Sequence, residues 1–305
     1  MVSIVTKRIK GIEYLYLAES IRKGKRVIQK TLKYIGKKRP VRKEELECMK
    51  LSYYGKDWIL NDSADQLSYQ DHEKMKNASE EYKQYVHSLD PVSRQQEKER
   101  FLSIFISNSN AIEGSTLTAK DTFNFLFNDI TPKGKTKKEL HMATNLLNAW
   151  NYLEQNYKKI PTSKDLFNLH FLVNKNIEGE ETLGRYKQVQ NYVGSVLTSS
   201  YLFVPEKMQK LLRWIKTAYK KIDDFEVAFQ SHAQFEIIHP FIDGNGRVGR
   251  ILLNWLLMHQ GISPLAISAR KRADYISALE NSRRGKIEAM CKFCLREYLE
   301  MHRFM

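Results

Sequence analysis

Cysteine is scarce in this 305-residue chain: Cys48, Cys291 and Cys294 are all it has. Three thiols cannot staple a chain of this length, so a disulfide framework is excluded and a reducing, cytoplasmic setting is expected. No apolar run approaches the ~18 residues that a membrane-spanning helix needs. The opening residues MVSIVTKRIK carry positive charge without an apolar stretch, so a secretory leader is not expected. Internal repeats and low-complexity tracts are missing too. Acidic side chains are almost lacking from the first 43 residues, where fourteen Lys and Arg face only Glu13 and Glu19. That segment has a net charge of +12, and the other 262 residues share the remaining +3. Such asymmetry points to an acidic partner for the segment rather than for the whole chain.

What is present suits a folded globular chain: 42% apolar and 28% charged residues. The length fits roughly two domains, with enough chain for a large core. Residues 12–36 alternate in a strand-like way around Gly24, which predicts a β-hairpin with a third strand over Ser3–Ile9. A hairpin alone is marginal, so it must pack on something. From Glu44 onward the pattern is helical. Pro91 suits a first helical turn, and Thr118 with Asp121 and Thr162 with Asp165 suit N-caps. Further helices are expected over Lys137–Tyr157, Ser163–Ile177, Pro205–Tyr219, Phe225–Ile238, Arg247–His259, Asp274–Ser282 and Lys286–Phe304. Residues 184–204 instead mix β-formers with Gly and Ser and read as an extended, hairpin-like segment. The fold class is therefore mainly α with small β appendages. Its parts are a basic β-hairpin segment (1–43), a helical region (44–155) and a helical core (156–300).

The informative stretch is His239-Pro-Phe-Ile-Asp-Gly-Asn-Gly-Arg-Val-Gly-Arg250, between two helices. Pro240 ends the first helix near His239. Gly244 and Gly246 permit unusual backbone angles and leave N–H groups at the start of the next helix, where anions bind. Arg247 and Arg250 are neighbours on its first turn, and two guanidiniums beside a backbone nest make a polyphosphate cradle. Asp243 at the rim would repel phosphate unless a hard cation such as Mg²⁺ bridges them. His239 is the nearby group able to take a proton near neutral pH. No Gly-Lys-Ser/Thr follows, so this is not a Walker A loop.

These residues resemble the Fic family signature, His-x-Phe-x-Asp/Glu-Gly-Asn-Gly-Arg-x-x-Arg, with every fixed position matched. The resemblance covers roughly residues 95–300 and implies a Fic-type helical bundle that moves AMP from ATP onto a Ser, Thr or Tyr hydroxyl of a target protein. It implies His239 as general base and Asp243 as the Mg²⁺ ligand. It implies Asn245 with the Gly244 and Gly246 backbone as an α-phosphate anion hole. Arg247 and Arg250 would meet the β- and γ-phosphates, with Val248 and Gly249 between them in the nucleotide-binding turn. Ser109-Asn-Ala-Ile-Glu113-Gly114 is similar to the family's inhibitory motif, which implies a Glu113–Arg250 pair that displaces the γ-phosphate. Residues 184–200 resemble the family's flap, on which the target docks as an edge strand. Asn191, Tyr192, Val193 and Gly194 would lie along the nucleotide, and Val204-Pro205 supplies the hydrophobic-Pro that follows the flap. Tyr275 falls where the family often has an aromatic residue near the adenine, although Asp274 replaces the first of the usual pair.

The resemblance leaves room for AMP removal as a second activity, for transfer of another nucleotide or a phosphate, and for a homodimer. A nucleic-acid-binding regulator that uses the core as a nucleotide sensor is a separate reading. Its motive is the N-terminal segment, where Tyr14, Tyr16 and Tyr34 interleave with Arg22, Lys23, Lys25, Arg26 and Lys30 and suit nucleic acid or an acidic protein. Cys291-x-x-Cys294 has a redox or metal spacing, but it sits in an apolar helical pattern and reads as buried and structural. His170 reads as a packed core residue, and His232 as a group that packs or hydrogen-bonds near the site.

Overall fold

The computed structural model describes residues 1–24, 26–60, 63–193 and 196–303. Lys25 and Gly194 therefore lie outside the described residues. The N-terminal segment forms three antiparallel strands in sequence order: β1 (Val2–Ile9), β2 (Ile12–Lys23) and β3 (Arg26–Lys37). The turn between β2 and β3 begins at Gly24 with φ +61°, the positive value that a two-residue hairpin loop demands. Alternation sorts the faces. Val2, Leu15, Leu17 and Ile35 are buried against Met49 and Phe203, which answers the marginal stability of an isolated sheet.

Eleven α-helices follow among the described residues: α1 (Lys43–Tyr53), α2 (Tyr69–Ser88), α3 (Pro91–Ile112), α4 (Ala119–Phe127), α5 (Lys137–Asn156), α6 (Ser163–Asn174), α7 (Val204–Ala218), α8 (Asp224–Ile238), α9 (Asn245–His259), α10 (Arg272–Arg283) and α11 (Glu288–Met301). Local chemistry explains several starts. Thr118, Thr136 and Thr162 each close a capping box with an acidic residue three positions on. Asp90 caps α3 ahead of Pro91. In α8 every residue from Phe225 to Ile238 is buried, as expected of a helix enclosed by others. It packs on α7, α9, α10 and α11. Cys291 and Cys294 are fully buried and free in α11, so they are packing residues.

The segment read as extended, 184–204, contains two short strands among its described residues, β4 (Tyr192–Val193) and β5 (Val196–Leu197), paired antiparallel. A 3₁₀ turn at Tyr201–Phe203 links them to α7. The hairpin is tied down at its base: Lys187 N donates to Pro240 O at 2.9 Å and Ser199 N to Ile237 O at 3.4 Å. Cys48 of α1 donates to Thr198 O at 3.0 Å, which couples the N-terminal sheet and α1 to the same hairpin. No described helix is long and apolar enough to cross a membrane.

Candidate active site

The loop between α8 and α9 is shaped by two residues in left-handed conformations. His239 ends α8 at φ +52°, ψ +64°, and its N–H still bonds Phe235 O at 2.8 Å. Gly244 precedes α9 at φ +72°, and a Cβ there would overlap the Asn174 carboxamide. The helix therefore begins at Asn245, two residues before the start read from sequence, and Gly246 is helical rather than unusual. No side chain caps α9, and its first ladder bond runs from Val248 N to Gly244 O. The N–H groups of Asn245, Gly246 and Arg247 lie ahead of that ladder at the positive end of the helix dipole.

Arg250 is 1% exposed, and two neighbours grip its guanidinium. Nε donates to Ser109 Oγ, and Nη2 donates to Ser109 O and Glu113 Oε1, each at 2.8 Å. Glu113 is the C-cap of α3, where a negative charge opposes the helix dipole, so the Arg250 contact must offset that cost. Gly114 follows at φ +97° and ends the helix. Glu113 is thus both a helix-terminal residue and the partner of Arg250. A Cβ at Gly246 would overlap Glu113 Oε1, which places the carboxylate against the first turn of α9. Glu113 occupies the place where an anion would meet that turn.

His239 is mostly buried, with Nδ1 3.8 Å from Glu236 Oε2. Burial pushes its imidazole down to about 3, helped by the Lys187 and Arg283 charges. It is neutral at neutral pH. Burial pushes the Glu236 carboxyl the other way, to about 8. Burial also lowers Lys187 to about 7.

Asp243 keeps a side chain 62% exposed at the rim, 3.7 Å from Arg247 Nη2. Burial and the Asp243 charge raise the adjacent Glu178 carboxyl. An exposed carboxylate beside a helix N-terminus and Arg247 fits a hard cation shared with phosphate oxygens, so the residues present suit Mg²⁺. A second cluster, Asp65, His72 and Glu226, is satisfied internally. Glu226 Oε1 accepts from Gln66 N and Leu67 N at 2.7 Å each and lies 3.1 Å from His72 Nε2. It fastens the segment before α2 to α8.

Several residues expected to touch the nucleotide are spent inside the protein instead. Asn245 Oδ1 accepts from Phe241 N at 2.8 Å and its Nδ2 donates to Phe241 O at 2.9 Å, so the carboxamide locks the loop and leaves only backbone N–H groups for an anion. The Asn191 carboxamide is committed as well. It accepts from Lys187 Nζ at 2.7 Å and Thr198 Oγ1 at 2.6 Å, and donates to Phe241 O at 2.8 Å and Ile242 O at 3.3 Å. Val248 is wholly buried in the core. Gly249 is a close-approach point, where a Cβ would meet Phe235 and His232. Tyr275 is 2% exposed and 2.9 Å from His232 Nε2, so its ring cannot stack on a base in this conformation. Tyr192 is 40% exposed, with the Arg42 guanidinium 5.3 Å over its ring, and Val193 is half-buried.

Sequence reasoning missed three supports. Asn174 Oδ1 accepts from Arg247 Nη2 at 3.0 Å, and its Nδ2 donates to Asp243 O at 3.3 Å. His170, read as core packing, sits with Nε2 3.2 Å from Asp243 O and stacks on Phe241 at 4.1 Å. Lys187 bonds Asn191, Thr198 Oγ1 and Ile238 O. Only spacing along α6 pointed to the first two: His170 and Asn174 are four apart and share a face.

Residues 160–257 match the Fic/DOC family. Protein adenylyltransferase Fic of Drosophila erecta is 29% identical over 223 residues, which is 71% of this chain and 45% of that protein. Protein adenylyltransferase fic-1 of Caenorhabditis elegans is 28% identical over 197 residues, 62% of this chain and 38% of that one. The chain thus spans less than half the length of these curated relatives. Among solved structures, C. elegans Fic-1 aligns with a TM-score of 0.67 at 22% identity, covering 76% of this chain and 71% of that one. A Fic family protein from Desulfovibrio desulfuricans G20 aligns with a TM-score of 0.65 at 22% identity, over 78% and 74% of the two chains. Residues 160–257 are thus similar in sequence to the Fic/DOC family, and the helical bundle around the loop between α8 and α9 has the fold of the solved Fic proteins.

Proposed function

We propose that the chain is a protein adenylyltransferase held inactive by Glu113. The observation that carries this reading is the grip of Ser109 and Glu113 on Arg250, at the helix N-terminus where a polyphosphate would otherwise bind. The relatives' activity supports the chemistry. In the reaction, the oxygen of a target hydroxyl bonds to the α-phosphorus of ATP. The bond from that phosphorus to the β-bridging oxygen breaks, and pyrophosphate leaves. His239 takes the hydroxyl proton. Its imidazole is neutral, so its lone pair is free, and polyphosphate bound nearby would raise its basicity toward a useful range. A positioned histidine base contributes ~10²–10⁴-fold.

The N–H groups that open α9 would bind the transferred phosphate, with Arg247 and Arg250 on the leaving pyrophosphate. Asp243 is the residue that would hold Mg²⁺, which when bound neutralises phosphate charge. Target backbone would pair with the exposed hairpin at Tyr192 and Val196. Residues 1–43 would engage a separate, acidic partner.

Buried Tyr275 leaves the base preference open to a direct comparison. The test is labelling of a Glu113→Gly variant with nucleoside triphosphates carrying ³²P at the α- or γ-position. Retained α-label from ATP, with no γ-label, supports adenylyl transfer. Retained γ-label would make the enzyme a kinase, and stronger α-label from another nucleotide would reassign the donor.

A further inference from the structure

The three-stranded sheet is uneven. β1 covers β2 only from Ile12 to Glu19. Beyond it β2 and β3 continue as a two-stranded ribbon, Ser20–Lys23 against Arg26–Gln29, with register Ile21↔Ile28, Arg22↔Val27 and Lys23↔Arg26. Every side chain from Ile21 to Gly24 and from Arg26 to Thr31 is exposed, including Val27 at 67%. Among the described residues, no acidic side chain lies within ion-pair distance of Arg22, Lys23, Arg26 or Lys30. Three basic residues nearer the core differ: Lys33 pairs with Glu206, Lys38 with Glu13 and Arg39 with Glu45. Four unneutralised basic side chains therefore stand on the protruding part, while Lys7, Arg8, Lys10, Lys37, Arg42 and Lys43, also without an ion pair among the described residues, lie elsewhere in the segment.

One face of the sheet continues the pattern. Tyr14, Tyr16 and Tyr34 cluster there, with centroids 6.0 Å apart for Tyr14–Tyr34 and 5.3 Å for Tyr16–Tyr34. Lys7 Nζ lies 4.9 Å over the Tyr16 ring. The same face leads along β2 through Ala18 and Ser20 to Arg22. Tyrosine hydroxyls and lysines are typical phosphate contacts.

We propose that this ribbon binds duplex DNA, entering the major groove with the tyrosine face along a flanking phosphate backbone. The dimensions agree. Four residues a strand project ~13 Å, and two strands lie ~4.8 Å apart, against a major groove about 12 Å wide and 8.5 Å deep that admits a β-ribbon. The narrow major groove of duplex RNA does not admit one. Charge complementarity supplies the attraction, and the exposed Ile21, Val27 and Ile28 supply apolar contact at the tip. The inference is independent of the transfer reaction, so either can fail alone.

The test is fluorescence anisotropy of the full chain with a short labelled DNA duplex of mixed sequence. The same sequence as duplex RNA and poly-glutamate serve as competitors. Wild type is expected to bind DNA at about 50 mM salt, with affinity falling steeply as salt rises. The combined Arg22→Gln, Lys23→Gln, Arg26→Gln, Lys30→Gln variant is expected to bind at least ~100-fold more weakly, with a salt slope shallower by about 3 to 4. Its melting temperature should stay near that of wild type, since the altered side chains are exposed. A Lys220→Gln, Lys221→Gln variant, changed at exposed lysines after α7, should bind like wild type. Three results would overturn the proposal: no DNA binding at low salt, undiminished binding by the ribbon variant, or competition by RNA or poly-glutamate as strong as by DNA. Strong competition by poly-glutamate would assign the ribbon to an acidic protein.

Discussion

At the scale of the residue, the site is a set of side chains that have little freedom left. Asn191 shows this best, because all four of its carboxamide positions are used. It joins the β4–β5 hairpin segment to the carbonyls of Phe241 and Ile242, and Lys187 in turn holds Asn191. Replacing Lys187 by Met keeps the buried bulk but leaves Asn191, Thr198 and Ile238 short of a donor. A buried acceptor left short costs ~1–3 kcal/mol, and a loop displaced by that amount costs the reaction about tenfold or more. The expected outcome of Lys187→Met in a Glu113→Gly background is a tenfold slower initial rate of self-labelling at saturating ATP, with the helical circular dichroism kept. An unchanged rate would remove Lys187 from the support of the site. The contacts to Ile238, Phe241 and Ile242 were hidden in the sequence because these partners lie 50 or 51 residues away. Glu113, by contrast, was legible through the Ser109-to-Gly114 pattern.

At the scale of the element, legibility followed locality. The capping boxes at Thr118 and Thr162 could be read because cap and partner are three residues apart. The start of α9 could not be placed, since it depends on Gly244 lying against Asn174 from α6. The hairpin-like character of residues 184–204 could be read, but not the shortness of its strands, because its β-formers are held by side-chain bonds to the α8–α9 loop rather than by a long ladder. Gly244→Ala tests this account of the helix start. A positive φ costs a residue with a Cβ ~1–3 kcal/mol, and the overlap with Asn174 adds to it. A fall in melting temperature of at least ~3 °C is expected. Thr136→Ala, which breaks a capping box far from the loop, should cost about 1 kcal/mol without changing labelling in the Glu113→Gly background. Equal melting temperatures for Gly244→Ala and wild type would contradict the strained-turn reading.

At the scale of the whole molecule, the buried histidines make the fold sensitive to acid. Burial pushes His170 and His302 down to about 4, and His232 and His239 to about 3. The unfolded chain takes up these protons near pH ~6.5 and the folded chain refuses them, so stability falls as pH drops below that value. Glu236, raised to about 8, acts in the opposite sense: the fold keeps a proton that the unfolded chain loses above its ordinary carboxyl range. Near pH 5 the balance is ~3 protons, or at most ~4 kcal/mol per pH unit. The melting temperature should therefore fall by several degrees or more from pH 7 to pH 5 at constant ionic strength. A flat or rising profile would mean that these histidines are not buried as described.

The central claim also belongs to the whole molecule, because the grip on Arg250 joins α3 to α9 across 137 residues of chain. Its most direct test is self-labelling with α-³²P-ATP and Mg²⁺ in wild type, Glu113→Gly, and Glu113→Gly with His239→Ala. The account predicts strong label in the Glu113→Gly protein alone, at least ~10-fold above wild type, and its loss by ~10² or more when His239 is also removed. Equal labelling of wild type and Glu113→Gly, or labelling that survives His239→Ala, would contradict it.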